Sequence, residues 1–363
     1  MFFILLTFIF LRPFISSLAF PYLDYAYSLL LLGFLLIWIL GKRVSADALK
    51  PVKFPLIGFI LAICASILFS VDKIVSLQES YKYATALLLF CIGLSLGTKE
   101  RGRLIVCILG AGLLISTLAI YQYFWGFKHV LDYMAKHGLS DAFALDYVGR
   151  QRVFFPFATP NILGGYIAML IPLALINKKT LWIILPLGLA LILTKSLGAI
   201  AALTLGVIFY LFLQGKVRKK QAIFIFIMLV IFSGVLILRL TAQKAHLHPG
   251  FSAFMRIGYW KDTLEIIKTY PLFGVGLGNF NLTHSRYAHN SYLQLAAEIG
   301  IPGLLAFFWL IGSILIVKFK NCSDRNYLVG LIASAVVFLL HNFVDFTFFL
   351  PEVVLIWWVI LGA

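Results

Sequence analysis

The chain has 363 residues, of which 62% are hydrophobic and only 12% charged, with a mean hydropathy of +1.00. An average soluble domain carries about 25% charged residues, so this chain cannot cover a water-facing surface with charge. The net charge of +16 is what Lys and Arg retained in cytoplasmic loops produce, and it does not point to nucleic acid as a partner.

Apolar runs of roughly 16–22 residues recur along the whole length, enough for a helix to cross ~30 Å of hydrocarbon. They are continuous rather than alternating, which excludes a β-barrel. The expected fold is all-α: a polytopic membrane protein of about twelve transmembrane helices with both termini inside. Cys64, Cys91 and Cys107 sit in apolar runs and Cys322 in a basic loop. Without paired spacing they read as small apolar residues, not disulfides.

In chain order the expected spans begin with Phe2–Ala19 and Ala26–Gly41. Ser17-Leu18-Ala19 resembles a signal-peptidase site, but no basic region precedes it and Arg12-Pro13 interrupts the apolar stretch. The segment is therefore expected to remain as the first span. The loop Lys42–Lys53 is basic and should face the cytoplasm. Spans three to five are Phe54–Phe69, Tyr81–Gly97 and Leu104–Trp125, followed by a longer outer segment from Gly126 to Pro160. Span six begins at Asn161 and ends at Lys178-Lys179. Spans seven and eight, Leu181–Thr194 and Leu197–Leu213, form a hairpin joined by Lys195-Ser196. Span nine, Ala222–Leu240, leads into a second long outer segment over residues 241–288. Span ten starts near His289, and Tyr327–Leu340 and Phe348–Leu361 complete the set. Every loop placed inside is short and basic, so both long segments fall on the extracytoplasmic face. The chain divides into N-terminal transmembrane helices, 1–149, and a motif-bearing region, 150–363.

Polar residues that could carry chemistry collect on that outer face. From Ser252, a plausible N-cap, Ile257, Trp260, Leu264 and Ile267 recur at helical spacing until Pro271. This predicts an interfacial helix with Trp260 as anchor and Ile257 and Leu264 packed inward. Arg256 need not pair within that helix, and a guanidinium there can fork onto phosphate oxygens. Gly274-Val275-Gly276-Leu277-Gly278-Asn279-Phe280 is no dinucleotide fingerprint, because no strand precedes it. It reads as a tight loop whose backbone approaches helices or a phosphate. His289 offers a base that titrates near neutrality. Asn290 and Gln294 share a helix face, with Glu298 loosely on the same side. Arg150 and Arg152 stand at the mouth of span six, suited to an anionic headgroup or to ordinary loop charge. Lys195 in its two-residue turn is costly unless paired. His341-Asn342 and Asp345 read as structural, through a His–Asp pair. No HExxH, paired Cys/His or Asp-x-Asp pattern is present, so no metal or other cofactor is indicated.

This ordered set resembles the O-antigen ligase-like family of bacterial membrane glycosyltransferases, which also takes in O-antigen polymerases. The matching elements are Pro160-Asn161 with Gly164, the Thr194–Ala199 turn, and Arg256 with Trp260. They continue with Pro271 and the glycine run, then His289-Asn290-Ser291-Tyr292-Leu293-Gln294 and Glu298-Ile299-Gly300-Ile301-Pro302-Gly303. The resemblance implies a fold like that of GT-C-type glycosyltransferases and an inverting, metal-independent transfer at the outer face of the bacterial cytoplasmic membrane. The donor would be a glycan on undecaprenyl pyrophosphate and the acceptor a sugar hydroxyl on a glycan or lipid core, with membrane lipid as surroundings. In that chemistry His289 takes the acceptor proton. Arg256 and Arg152 hold the pyrophosphate, with Arg150, Lys195, Asn290 and Trp260 as further substrate contacts. Two positions depart from the pattern. Leu197 stands where members often carry arginine, and Tyr287 where many carry a second histidine. The competing readings are a polymerase of the same family, a transporter or flippase for the lipid-linked glycan, and a binding-only homologue. A transporter would place its charges near the bilayer midplane, whereas here they cluster at one face.

Overall fold

Helices follow the apolar runs. In the computed structural model, which describes residues 1–41, 46–139, 145, 148–215, 227, 229–237, 249–321 and 324–363, they are α1 (Phe2–Leu11), α2 (Pro21–Gly41), α3 (Lys53–Leu68), α4 (Lys73–Ser95), α5 (Thr98–Tyr121), α6 (Phe127–Lys136), α7 (Pro160–Ala174), α8 (Ile184–Thr194), α9 (Leu197–Gln214), α10 (Pro249–Thr269), α11 (Ser291–Asn321), α12 (Arg325–His341) and α13 (Pro351–Gly362). Among the described residues there is no strand beyond an isolated bridge between Leu282 and Ser285. Among the described residues, five stretches are long and apolar enough to cross a membrane: Pro21–Gly41, Lys50–Leu68, Thr98–Lys136, Leu197–Gln214 and Ser291–Lys320. The chain is an all-helical, multi-pass membrane protein. The first, sixth, eleventh and twelfth expected spans are apolar helices of shorter length. Most of the ninth, together with Lys42, Arg43, Lys216, Arg218, Lys219, Lys220 and Cys322, lies outside the described residues.

Two short helices form the centre. In α7 every residue from Ile162 to Ala174 is buried, and α13 is buried along its whole length. A helix apolar all round belongs inside a protein rather than at its surface. At ~1.5 Å per residue, α7 rises only about 22 Å, less than the ~30 Å of a hydrocarbon layer. Irregular chain precedes both helices, Val153–Thr159 before α7 and Asn342–Leu350, with a 3₁₀ turn at Thr347–Phe349, before α13. Around this centre α8, α9 and α12 pack on α7, while α4 packs on α13 and α3 on α11. The periphery carries bare apolar side chains such as Leu30, Leu61, Leu185 and Phe212, as a lipid-facing surface should.

Caps set the helix starts. Asp72 accepts from the backbone N–H groups of Ile74 and Val75, so α4 begins two turns before the expected Tyr81. Thr159 caps α7, with Pro160 at its first position. Asp324 caps α12.

The structure corrects four expectations. The first span is not one helix to Ala19: α1 stops at Leu11, and Arg12–Phe14 form a 3₁₀ turn. There the Arg12 guanidinium is buried, paired with Asp24, and lies 3.7 Å from Glu352 Oε2 and 5.4 Å above the Tyr27 ring. α10 starts at Pro249 rather than after a Ser252 cap. Its buried face is Thr263, Ile266 and Ile267 against Ala296 and Ala297 of α11, whereas Ile257 and Leu264 stand exposed beside Phe254. Packing follows the small residues of the partner helix rather than the apolar stripe. Finally, α11 is broken at Gly300 (φ 74°), where the Ile301 N–H leaves the helix and donates to the Pro271 carbonyl at 2.9 Å.

Candidate functional site

The glycine run serves helix packing. Gly276 lies at φ 103°, and its N–H donates to the Glu298 carbonyl (3.0 Å) while Val275 donates to Ala297. Asn279 then ties the loop to the α3–α4 turn: its side-chain amide donates to Ser70 Oγ (3.1 Å), Ser76 Oγ (2.8 Å) and the Asp72 carbonyl (3.1 Å). The loop thereby fixes the start of α11.

At the same end of the bundle a cavity of about 490 Å³ gathers residues from five segments. Arg152 enters from the chain before α7. Its Nε donates to the Thr194 carbonyl at the C-terminus of α8 (2.9 Å), and an Nη donates to Asn161 Oδ1 (2.9 Å). A guanidinium at a helix C-terminus is favoured by the helix dipole. Arg256 of α10 also lines it, as do Leu197 and Gly198 at the start of α9. From α12 and the loop after it come His341 and Asp345. The His341 ring lies flat against Gly165 of α7, where any side chain would collide with it. Its Nε2 is 3.9 Å from Asp345 Oδ2, and its Nδ1 is buried without a hydrogen-bond partner. Asp345 Oδ1 accepts from the Phe346 N–H at 2.8 Å.

Asn342 organises the loop. Its Oδ1 accepts from Ser291 Oγ (2.6 Å), Thr347 Oγ1 (3.2 Å) and the Phe348 N–H (2.9 Å), and its carbonyl accepts from the Ser291 N–H (2.9 Å). This locks the His341–Phe349 chain to the start of α11, next to His289. His289 itself is held at φ 52°. Its ring stacks on Tyr259 (5.7 Å) and meets the edge of Phe346 (4.8 Å), and Nδ1 is buried without a partner among the described residues. Burial pushes this imidazole below its ordinary range. The Asp345 carboxylate opposes that shift and the Arg256 charge adds to it. The group is therefore a neutral base at neutral pH, electrostatically coupled to both sides of the cavity.

Of the residues singled out from sequence, Arg152 and Arg256 share this cavity, and His289 adjoins it through Asp345 and Phe346. Lys195 is the left-handed C-cap of α8. Its ammonium donates to the Arg150 carbonyl (3.2 Å) and is pushed below the usual lysine range by burial and by Arg152. Asn290 is the N-cap of α11, accepting from the Tyr292 (3.0 Å) and Leu293 (3.1 Å) N–H groups. The Trp260 indole N–H is buried, with no acceptor among the described residues. Arg150, Lys195, Asn290 and Trp260 line neither this cavity nor the second one described below. The His341–Asp345 pair expected from the sequence is present, and both side chains also line the cavity with Arg152 and Arg256. The signal was a His and an Asp at i, i+4 beside a chain break. Among the described residues no three His, Cys, Asp or Glu side chains converge as metal ligands.

A second cavity, about 580 Å³, lies between α4, α11 and α13 and is lined by Glu79, Lys82, Tyr83, Glu298, Phe348 and Trp358, among others. Tyr287 belongs to its wall and stacks on Phe346 at 4.1 Å. Phe346 thus touches the wall of this cavity on one side and His289 on the other.

Fold and site together define a multi-pass membrane protein with an arginine-lined polar cavity at one end of the bundle. Residues 181–308, about a third of the chain, match the family model described as O-antigen ligase, and over that stretch the chain is O-antigen ligase-like. The match includes Lys195, Arg256 and His289. Arg152, His341 and Asp345 lie outside it and join the site through the fold. No curated protein matches the chain.

Proposed function

We propose that the protein is a membrane glycosyltransferase that moves a glycan from an undecaprenyl pyrophosphate carrier to an acceptor sugar hydroxyl at the outer face of the cytoplasmic membrane. The observation that carries this reading is the convergence of Arg152 and Arg256, from separate segments, on one cavity beside a His–Asp pair and the buried His289. The acceptor oxygen attacks the anomeric carbon while the bond to the pyrophosphate breaks on the opposite face, so the configuration inverts. The hydroxyl proton passes to the His289 imidazole, and the charge that develops on the leaving pyrophosphate is met by the two guanidiniums. Asp345 steadies the imidazolium that forms. Both arginines bring permanent charge, which supports a transfer that needs no metal ion. Leu197 removes a third cation from the wall and Lys195 stands nearby, so donor capture rests on Arg152 and Arg256.

The test uses protein in lipid bilayers, an undecaprenyl pyrophosphate-linked glycan and candidate acceptors. His289→Ala should reduce transfer by about 10²–10⁴-fold with donor binding retained, and a chelator should have no effect. Arg256→Ala should weaken donor binding or turnover. Transfer retained in His289→Ala but lost in His341→Ala would reassign the base to the His341–Asp345 pair. A chelator that stops transfer would sink the metal-free mechanism. The acceptor that works separates a ligase from a polymerase, and donor binding without any transfer would favour a flippase or a binding-only protein.

A further inference from the structure

The second cavity is not absorbed by the donor chemistry. Its charged lining is balanced, with Glu79 and Glu298 against Lys82 and Arg286, whereas the first cavity sets two arginines against one Asp345. A balanced lining does not select a second pyrophosphate. It offers carboxylates, an amide and a phenol above an aromatic wall, and such a mixture suits a polyhydroxylated ring with one apolar face.

The polar groups are held in place. Glu298 Oε1 accepts from Gln294 Nε2 (3.0 Å) and Oε2 from the Gly278 N–H (3.2 Å), while Lys82 donates to Glu79 Oε1 (2.9 Å). Each carboxylate keeps acceptor capacity beyond these bonds. Tyr83 is different: it lines the cavity, and its hydroxyl is buried with no hydrogen-bond partner among the described residues. A buried hydroxyl without a partner costs free energy, and a ligand hydroxyl would satisfy it. Phe348 and Trp358 supply the apolar wall. The position also fits. Tyr287 of its wall stacks on Phe346, whose edge meets the His289 ring, so the cavity lies beside the base, and an inverting transfer requires the acceptor to approach from the side opposite the leaving group.

We infer that this cavity is the acceptor subsite and binds a sugar ring of the acceptor glycan. The inference rests on the glycosyltransferase reading and assigns its second substrate to a place. Tyr83→Phe deletes only the unpartnered oxygen and should leave folding intact, and Glu79→Gln keeps shape while removing a charge. In the transfer assay both variants should raise the acceptor KM by about tenfold, the scale of one lost hydrogen bond, with donor KM unchanged. An unchanged acceptor KM in both variants would overturn the inference, and so would a rise confined to the donor KM, which would give the cavity to the carrier lipid. A second measurement is independent of turnover: a photoactivatable, lipid-free oligosaccharide of the cell's own repeat unit is cross-linked to the full-length protein. Labelling of the Glu79–Ala86 segment that is lost in Tyr83→Phe supports the inference even if no transfer occurs, in which case the glycosyltransferase reading fails by itself. Absence of labelling there, or displacement of the label by polyprenyl monophosphate but not by unlabelled sugar, overturns it.

Discussion

A buried imidazole beside one carboxylate and one guanidinium reports on both. Because burial and Arg256 lower the proton affinity of His289, the base stays neutral below the ordinary histidine pKa of about 6.5. The acid limb of kcat/KM should therefore fall below that value. The neighbours act with opposite sign. Asp345→Asn removes the group that raises the pKa and should move the limb to still lower pH, whereas Arg256→Gln removes a repelling charge and should move it towards neutrality. A limb that shifts the same way in both variants would exclude His289 as the titrating group. Leu197→Arg should return a cation to the cavity wall and lower the donor KM, read by titrating the lipid-linked glycan. At this scale the sequence made legible which residue types stand at the mouths of apolar runs, as with Arg152, Arg256 and His289. It was silent where function needs a meeting. His341 reaches the cavity because α12 packs on α7 at Gly165, a contact between residues far apart in the chain.

Elements were legible by their apolar length and less so by their ends and breaks. Pro302 alone does not create the break in α11. Gly300 adopts φ 74° and lies against the Leu272 carbonyl, while Ile301 bonds to Pro271 from another segment. Gly300→Ala should therefore cost about 1–3 kcal/mol for the left-handed backbone, plus the collision, and should lower the thermal midpoint in detergent. Pro302→Ala should cost much less, since the break is held from outside the helix. Equal losses would return the break to the proline. The stripe of α10 failed for a related reason. In water, an apolar row marks the packed face, but beside lipid both faces can be apolar, and the small residues Ala296 and Ala297 decided which one was buried.

At the scale of the whole molecule, run length gave a multi-pass bundle but not its neighbours, because any apolar helix can pack on any other. A long-range link with a charge signature is Arg12 with Asp24 and Glu352, which joins α1, α2 and α13. Arg12→Met leaves two buried acids without their cation and should cost about 3–5 kcal/mol, measured as a lower thermal midpoint. Restoration by the double change Arg12→Met with Glu352→Gln would identify the acid that needs it. The same link bears on how the chain is made. Arg12 and Asp24 leave the ribosome almost together and can enter the bilayer as a neutral pair. Glu352 is synthesised hundreds of residues later and meets its partner only when α13 docks beside α4. A helix made hundreds of residues later thus closes a polar contact opened by α1 and α2, and that contact is complete only once α13 has been inserted.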